Sequence, residues 1–97
     1  MSEKLGKSEE LLAEKMWKLK MVMDETVEFP SVYLFKFIVP VNEVQNLLKI
    51  LDGMDVDERA SSGGKYISVS AKKVFNSSDE IIKIYKTVSV IKGIISL

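Results

Sequence analysis

The sequence predicts an α+β fold of the ferredoxin-like βαββαβ type: a four-stranded antiparallel sheet with two helices on one face, preceded by an N-terminal amphipathic helix. Three observations predict it. Beyond residue 28, two strand-helix-strand patterns follow one another, with the apolar period switching between 2 and 3.6 in that order. Right-handed crossovers between parallel strands convert that order into the split βαβ arrangement. Finally, 97 residues suffice for one domain and not for two, so all elements must serve a single small core.

In residues 8–26 the apolar positions Leu12, Met16, Leu19 and Met23 recur at alternating spacings of four and three, which lines one side of a helix. Ser8 is the expected cap, with Glu9 and Glu10 in the first turn, where negative charge suits the helix dipole. Phe29 and Pro30 form a joint, because the residue before a proline is pushed to extended geometry. Residues 1–28 are therefore read as a helical extension and residues 29–97 as the domain.

Residues 32–39 are aromatic and β-branched on both alternating faces, as a central strand requires. Residues 41–51 place Val44, Leu47, Leu48 and Leu51 on one stripe, with Asn42 as the expected N-cap and Gly53 as the stop. A short charged strand at 56–60, a Ser-Ser-Gly-Gly turn at 61–64 and a strand at 65–75 make a hairpin. Ser77 and Glu80 have the capping-box spacing, ahead of a stripe of Ile81, Ile82, Tyr85 and Val88. Residues 90–97 are rich in valine and isoleucine and read as the last strand.

Composition narrows the chemistry. Fourteen basic residues balance fourteen acidic ones, so no net field draws the protein to nucleic acid or to an anionic membrane. Cysteine and histidine are both absent, which removes disulfides, thiolate nucleophiles, sulfur-ligated zinc and the commonest general base. No metal or cofactor is expected. The polar, charged first ten residues and the lack of a long apolar run lead us to expect a cytoplasmic protein without a membrane segment.

Phe29-Pro30, the strand ending in Phe35-Lys36, the run from Arg59 through Ser70, and Ile84-Tyr85 resemble the YbeD-like family of small bacterial proteins of unknown function, over roughly residues 28–97. The resemblance implies a ferredoxin-like fold similar to the ACT regulatory domains, which commonly bind small ligands or pair into dimers. ACT domains that bind amino acids use a glycine at the first strand-helix turn so that the backbone can approach the ligand. Here Val39, Pro40, Val41 and Asn42 occupy that turn.

The most distinctive segment comprises Arg59, Ser61, Ser62, Gly63, Gly64, Lys65 and Tyr66, the candidate binding residues. A glycine-rich turn exposes amides and hydroxyls that suit an anion, and two cations flank it. The plainer account is that glycine supplies the positive φ of a tight hairpin while Tyr66 packs at the strand base. It is not a P-loop, since it lacks the glycine spacing and opens no helix. Asp52, Asp55, Asp57 and Glu58 lack the ligand alternation of a calcium loop and read as solvated.

An RNA-binding domain of the same topology is the alternative that shape alone suggests, but Ser68 and Ser70 stand where stacking aromatics are needed. The expectation is a non-enzymatic, ACT-like regulatory or binding domain, acting as a homodimer on a partner protein or small metabolite. A structural or assembly module without a ligand is the alternative. The methionines at 16, 21 and 23 with Trp17 make the first helix adhesive, either toward its own domain or across the open sheet face of the same or a neighbouring chain.

Overall fold

The computed structural model describes residues 7–97, with side chains from residue 13 onward. Helix α1 (Lys7–Thr26) leads into strand β1 (Ser31–Pro40), a 3-10 turn (Val41–Glu43) and helix α2 (Val44–Ile50). Strands β2 (Asp55–Ala60) and β3 (Tyr66–Phe75), helix α3 (Ser78–Val88) and the short strand β4 (Ile95–Ser96) complete it. The sheet order is β2-β3-β1-β4, with every neighbouring pair antiparallel. This is the ferredoxin-like order, as the two strand-helix-strand patterns predict.

β1 is the spine, paired with β3 along its whole length from Ser31↔Phe75 to Pro40↔Tyr66. Its alternation sends Phe35, Phe37 and Val39 inward, where they meet Val69 and Ala71 of β3. Leu47 and Leu51, from α2 and its C-cap, and Ile81, Ile82 and Val88 from α3 close the core over them. Each large side chain buried this way stabilises by about 1.5–3 kcal/mol, and the alternating burial of β1 and β3 puts the core on the helix side of the sheet. Phe35 is fully enclosed in an aromatic cluster, with Tyr33, Phe37, Phe75 and Tyr85 all within 5.7 Å between ring centres.

α3 begins where its serine is. The Glu80 amide donates to Ser77 Oγ at 3.4 Å, as the capping-box spacing requires. The reciprocal bond is offset by one residue: Glu80 Oε1 accepts from the amide of Asn76.

α1 lies beside α3 in the helix layer. Met23 is buried, and Met16, Leu19 and Val27 pack against the core. Trp17 is 61% exposed on the other side of the helix. Lys20 Nζ stands 2.9 Å from Asp79 and 3.2 Å from Asp24, and donates to Ser78 Oγ; the Ser78 hydroxyl in turn donates to Asp24. The helix is therefore not on the open sheet face, to which the two-sided apolarity of β1 points. Pairing with α3 offers both the apolar stripe and the charged clasp a partner.

Three local expectations are corrected. α1 is already helical at Lys7, ahead of the proposed cap Ser8, whose side chain, like that of Leu12, lies outside the described residues. Asn42 caps nothing: Pro40 precedes the 3-10 turn, Asn42 sits within it, and neither that turn nor α2 has a side-chain cap. The last strand is reduced to two residues, because Ile91 and Ile94 donate to Val88 and Ile91 in successive turns and Gly93 adopts φ +80°. These turns bury Ile91 and partly bury Ile94, which a strand through residues 90–94 would have sent to opposite faces.

Candidate functional site

The residues opposite the core define a second surface. Alternation sends Val32, Leu34, Lys36 and Ile38 of β1 to the open face, beside Val74, Lys72, Ser70 and Ser68 of β3. Asp55, Asp57 and Arg59 continue the rows on β2. Ile95, opposite Ile38, and Leu97, whose amide donates to the Lys36 carbonyl at 2.9 Å, complete the β4 side. A polar centre thus lies between two apolar ends.

The polar centre is a shallow hollow of about 410 Å³ lined by Lys36, Asp57, Arg59, Ser68, Ser70 and Leu97. Two cations, one carboxylate and two hydroxyls therefore converge over one patch of sheet. Lys72 pairs with Asp55 at 3.7 Å, an exposed ion pair of small energetic weight. Arg59 and Tyr66 belong to this face. Lys36, Asp57, Ser68 and Ser70 are not among the candidate binding residues read from the sequence. The available signal was period-2 alternation, which puts Lys36 on the outer side of an apolar strand and repeats serine at 68 and 70.

The rest of the predicted segment turns the hairpin. The Ser61 amide donates to the Tyr66 carbonyl at 2.9 Å, the Gly64 amide to the Ser61 carbonyl at 3.0 Å, and the Tyr66 amide to Ser61 Oγ at 3.3 Å. Gly64 takes φ +71°, the left-handed conformation that glycine adopts most easily, whereas Gly63 does not. The Lys65 carbonyl accepts from Val41 at 3.0 Å, fastening the turn to the start of the 3-10 segment. Three of the amides that an anion would need are thus engaged within the hairpin. Ser62, Gly63 and Lys65 lie exposed at its tip.

The aromatic residues of β1, Tyr33, Phe35 and Phe37, face the helices, so the two central strands present Tyr66 as their open-face aromatic among the described residues. Asp52, Asp55, Asp57 and Glu58 do not converge: among the described residues no group of three or more metal-ligating side chains is gathered in one place. Nor is any described helix long and apolar enough to cross a membrane.

Ionisation is perturbed away from this face. Burial, reinforced by the 2.7 Å hydroxyl-to-hydroxyl bond with Tyr33, pushes the Tyr85 phenol well above its ordinary value. The Ser78 hydroxyl holds Asp24 below the ordinary carboxylate value, and hydrogen bonds to Asp79 and then Asp24 raise Lys20. All three groups fasten helices in place.

A family model described as Protein of unknown function (DUF493) matches residues 24–97, which takes in the whole sheet and both covering helices. The chain belongs to this family. YbeD-like proteins are members of DUF493, so the resemblance carried by Phe29-Pro30 and the residue 59–70 run is a family relationship. No curated protein and no solved structure matches the chain significantly. The DUF493 match begins at Asp24, inside the clasp that joins α1 to α3.

Proposed function

We propose that this DUF493 chain is a non-enzymatic, ACT-like binding domain that acts in the cytoplasm as a homodimer and takes a partner protein on the open face of its sheet. The observation that carries this reading is the face itself: Val32, Leu34, Val74, Ile95 and Leu97 stand exposed and Ile38 half-buried around a polar centre, with no described element packed over them. Exposed apolar side chains clustered beside polar ones are the composition of recognition surfaces. A non-catalytic role accords with a sequence that has neither histidine nor cysteine. It also accords with the perturbed ionisations, which sit at helix contacts and not in the hollow, whereas catalytic groups are usually tuned where they act.

The hollow favours a second reading, a small zwitterionic metabolite, because Lys36 and Arg59 suit a carboxylate while Asp57 suits an ammonium group. Affinity capture from native cytosol, followed by mass spectrometry of both proteins and metabolites, separates the two. Leu34→Asp should abolish capture of a specific protein, and the pair Lys36→Gln with Arg59→Gln should abolish capture of a metabolite. Capture unchanged by either variant would remove the open face from the function.

A further inference from the structure

β1 is an interior strand along only part of its length, and its first half, Ser31 to Phe35, has no described strand on the β4 side. On the β3 side all ten residues are paired, but on the other side β4 reaches only Phe37 and Ile38, extended by the Leu97 bond to the Lys36 carbonyl. In an antiparallel strand the amide and carbonyl of a residue point to the same neighbour, and residues two apart point alike. Lys36 points toward β4, so Leu34 and Val32 do too. Neither has a backbone partner there among the described residues, and the Val32 carbonyl receives only a marginal 3.5 Å contact from the Ser31 hydroxyl. Their side chains are 50% and 62% exposed. A strand edge with free amides and apolar side chains is a template for another strand.

We infer that this edge pairs with the same edge of a second copy, β1 against β1 in antiparallel register about Tyr33; the inference rests on the homodimer in the reading above. The uncovered stretch fixes the register. It runs from Ser31 to Phe35, and its centre is Tyr33. A two-fold axis there sets Val32 opposite Leu34 of the other copy, and both point outward, so the two pairs exchange four backbone hydrogen bonds without altering the bonds to β3.

The side chains agree with that register. On the open face, Val74, Val32 and Leu34 of each copy form one apolar centre. The row continues outward through Lys72 to Asp55, whose ion pair falls on the rim in both copies, so no like charges are brought together. An apolar centre with a charged rim is the usual anatomy of a stable contact. On the helix face, Tyr33 stands beside its symmetry mate, a favourable aromatic cross-strand pair.

The test uses the full chain. Sedimentation should give twice the 10.9 kDa chain mass, and the amides of Val32 and Leu34 should exchange slowly, with protection that falls on dilution. Because the sequence has no cysteine, Val32→Cys chains mixed with Leu34→Cys chains should form a disulfide-linked heterodimer in higher yield than either variant alone, since paired strand residues lie within disulfide reach. A dimer with rapid exchange at both amides and no mixed disulfide would overturn the edge pairing while leaving the homodimer standing. A monomer at every concentration would overturn both, and leave capture of a partner protein on the open face to be judged by the Leu34→Asp variant.

Discussion

Ser78, the first residue of α3, donates its hydroxyl to the carboxylate of Asp24 in the last turns of α1, across 54 positions of sequence. Ser78 is buried, and Lys20 bridges the same two elements through Asp79. The α1 attachment therefore combines an apolar stripe with a polar clasp whose charge state depends on pH.

The signs follow from the two shifts. Asp24 is held below its ordinary value of 3.8 when docked, so its contribution is present above that value and is lost as pH falls through the depressed one. Lys20 is raised above 10.5, so its contribution is present below that value and is lost as pH rises through the elevated one. Amide exchange in the second half of α1 should stay slow between these limits and quicken beyond each. Ser78→Ala should move the acid limit upward toward the ordinary carboxylate value; an unmoved acid limit would mean that the clasp does not hold the helix.

The glycines should rank by strain. Gly63 has ordinary backbone geometry and open space, so Gly63→Ala should be nearly neutral. Gly53 and Gly64 have positive φ, but a Cβ at either position would meet nothing within 4 Å, so alanine there should cost about 1–2 kcal/mol. Gly93 combines φ +80° with a Cβ position only 2.9 Å from Cγ of Pro40, so Gly93→Ala should cost more than either. Urea unfolding of the four variants checks the order.

Phe35→Ala should be among the most damaging single changes, at about 3–5 kcal/mol, because the ring is fully enclosed and the cluster around it would be left with a cavity. Thermal and denaturant melts measure it directly. A loss below about 1 kcal/mol would mean that the aromatic cluster collapses into the space.

Tyr85→Phe should cost about 0.5–1.5 kcal/mol through the hydroxyl bond to Tyr33. The Tyr33→Phe/Tyr85→Phe pair should cost less than the sum of the two singles, because each single change breaks the same bond. The raised Tyr85 value also makes stability fall as pH rises above the ordinary phenol value of 10.0. Ultraviolet titration should find a late-ionising phenol in the wild type that is lost after Tyr85→Phe.

The elements legible in the sequence were those in which one period and one set of end signals agreed. β1, β3 and α3 are of this kind: apolar alternation or a 3.6-residue stripe runs the length of each, and Ser77 marks the start of α3. The final segment was illegible because valine and isoleucine favour strands while Gly93, a single residue, turns the chain. Asn42 misled in the same way, since a good capping residue does not cap when a proline already begins the turn. For the candidate site, glycine and serine at 61–64 draw attention to a turn whose amides are partly engaged with one another. The open-face residues Lys36, Asp57, Ser68 and Ser70 lie on three strands and meet only through pairing register, which no local motif encodes.

The exposure of Trp17 decides what one common measurement reports. It is the sole tryptophan of the chain and lies on α1, beside Lys20, Asp79 and Ile82, away from the aromatic cluster around Phe35. Its emission will follow detachment of α1 from α3, whereas circular dichroism will follow loss of the sheet and all helices. Two unfolding curves that fail to superimpose in this protein would thus register a hinge releasing before the body melts, and the usual inference of a partly folded core would misplace the event.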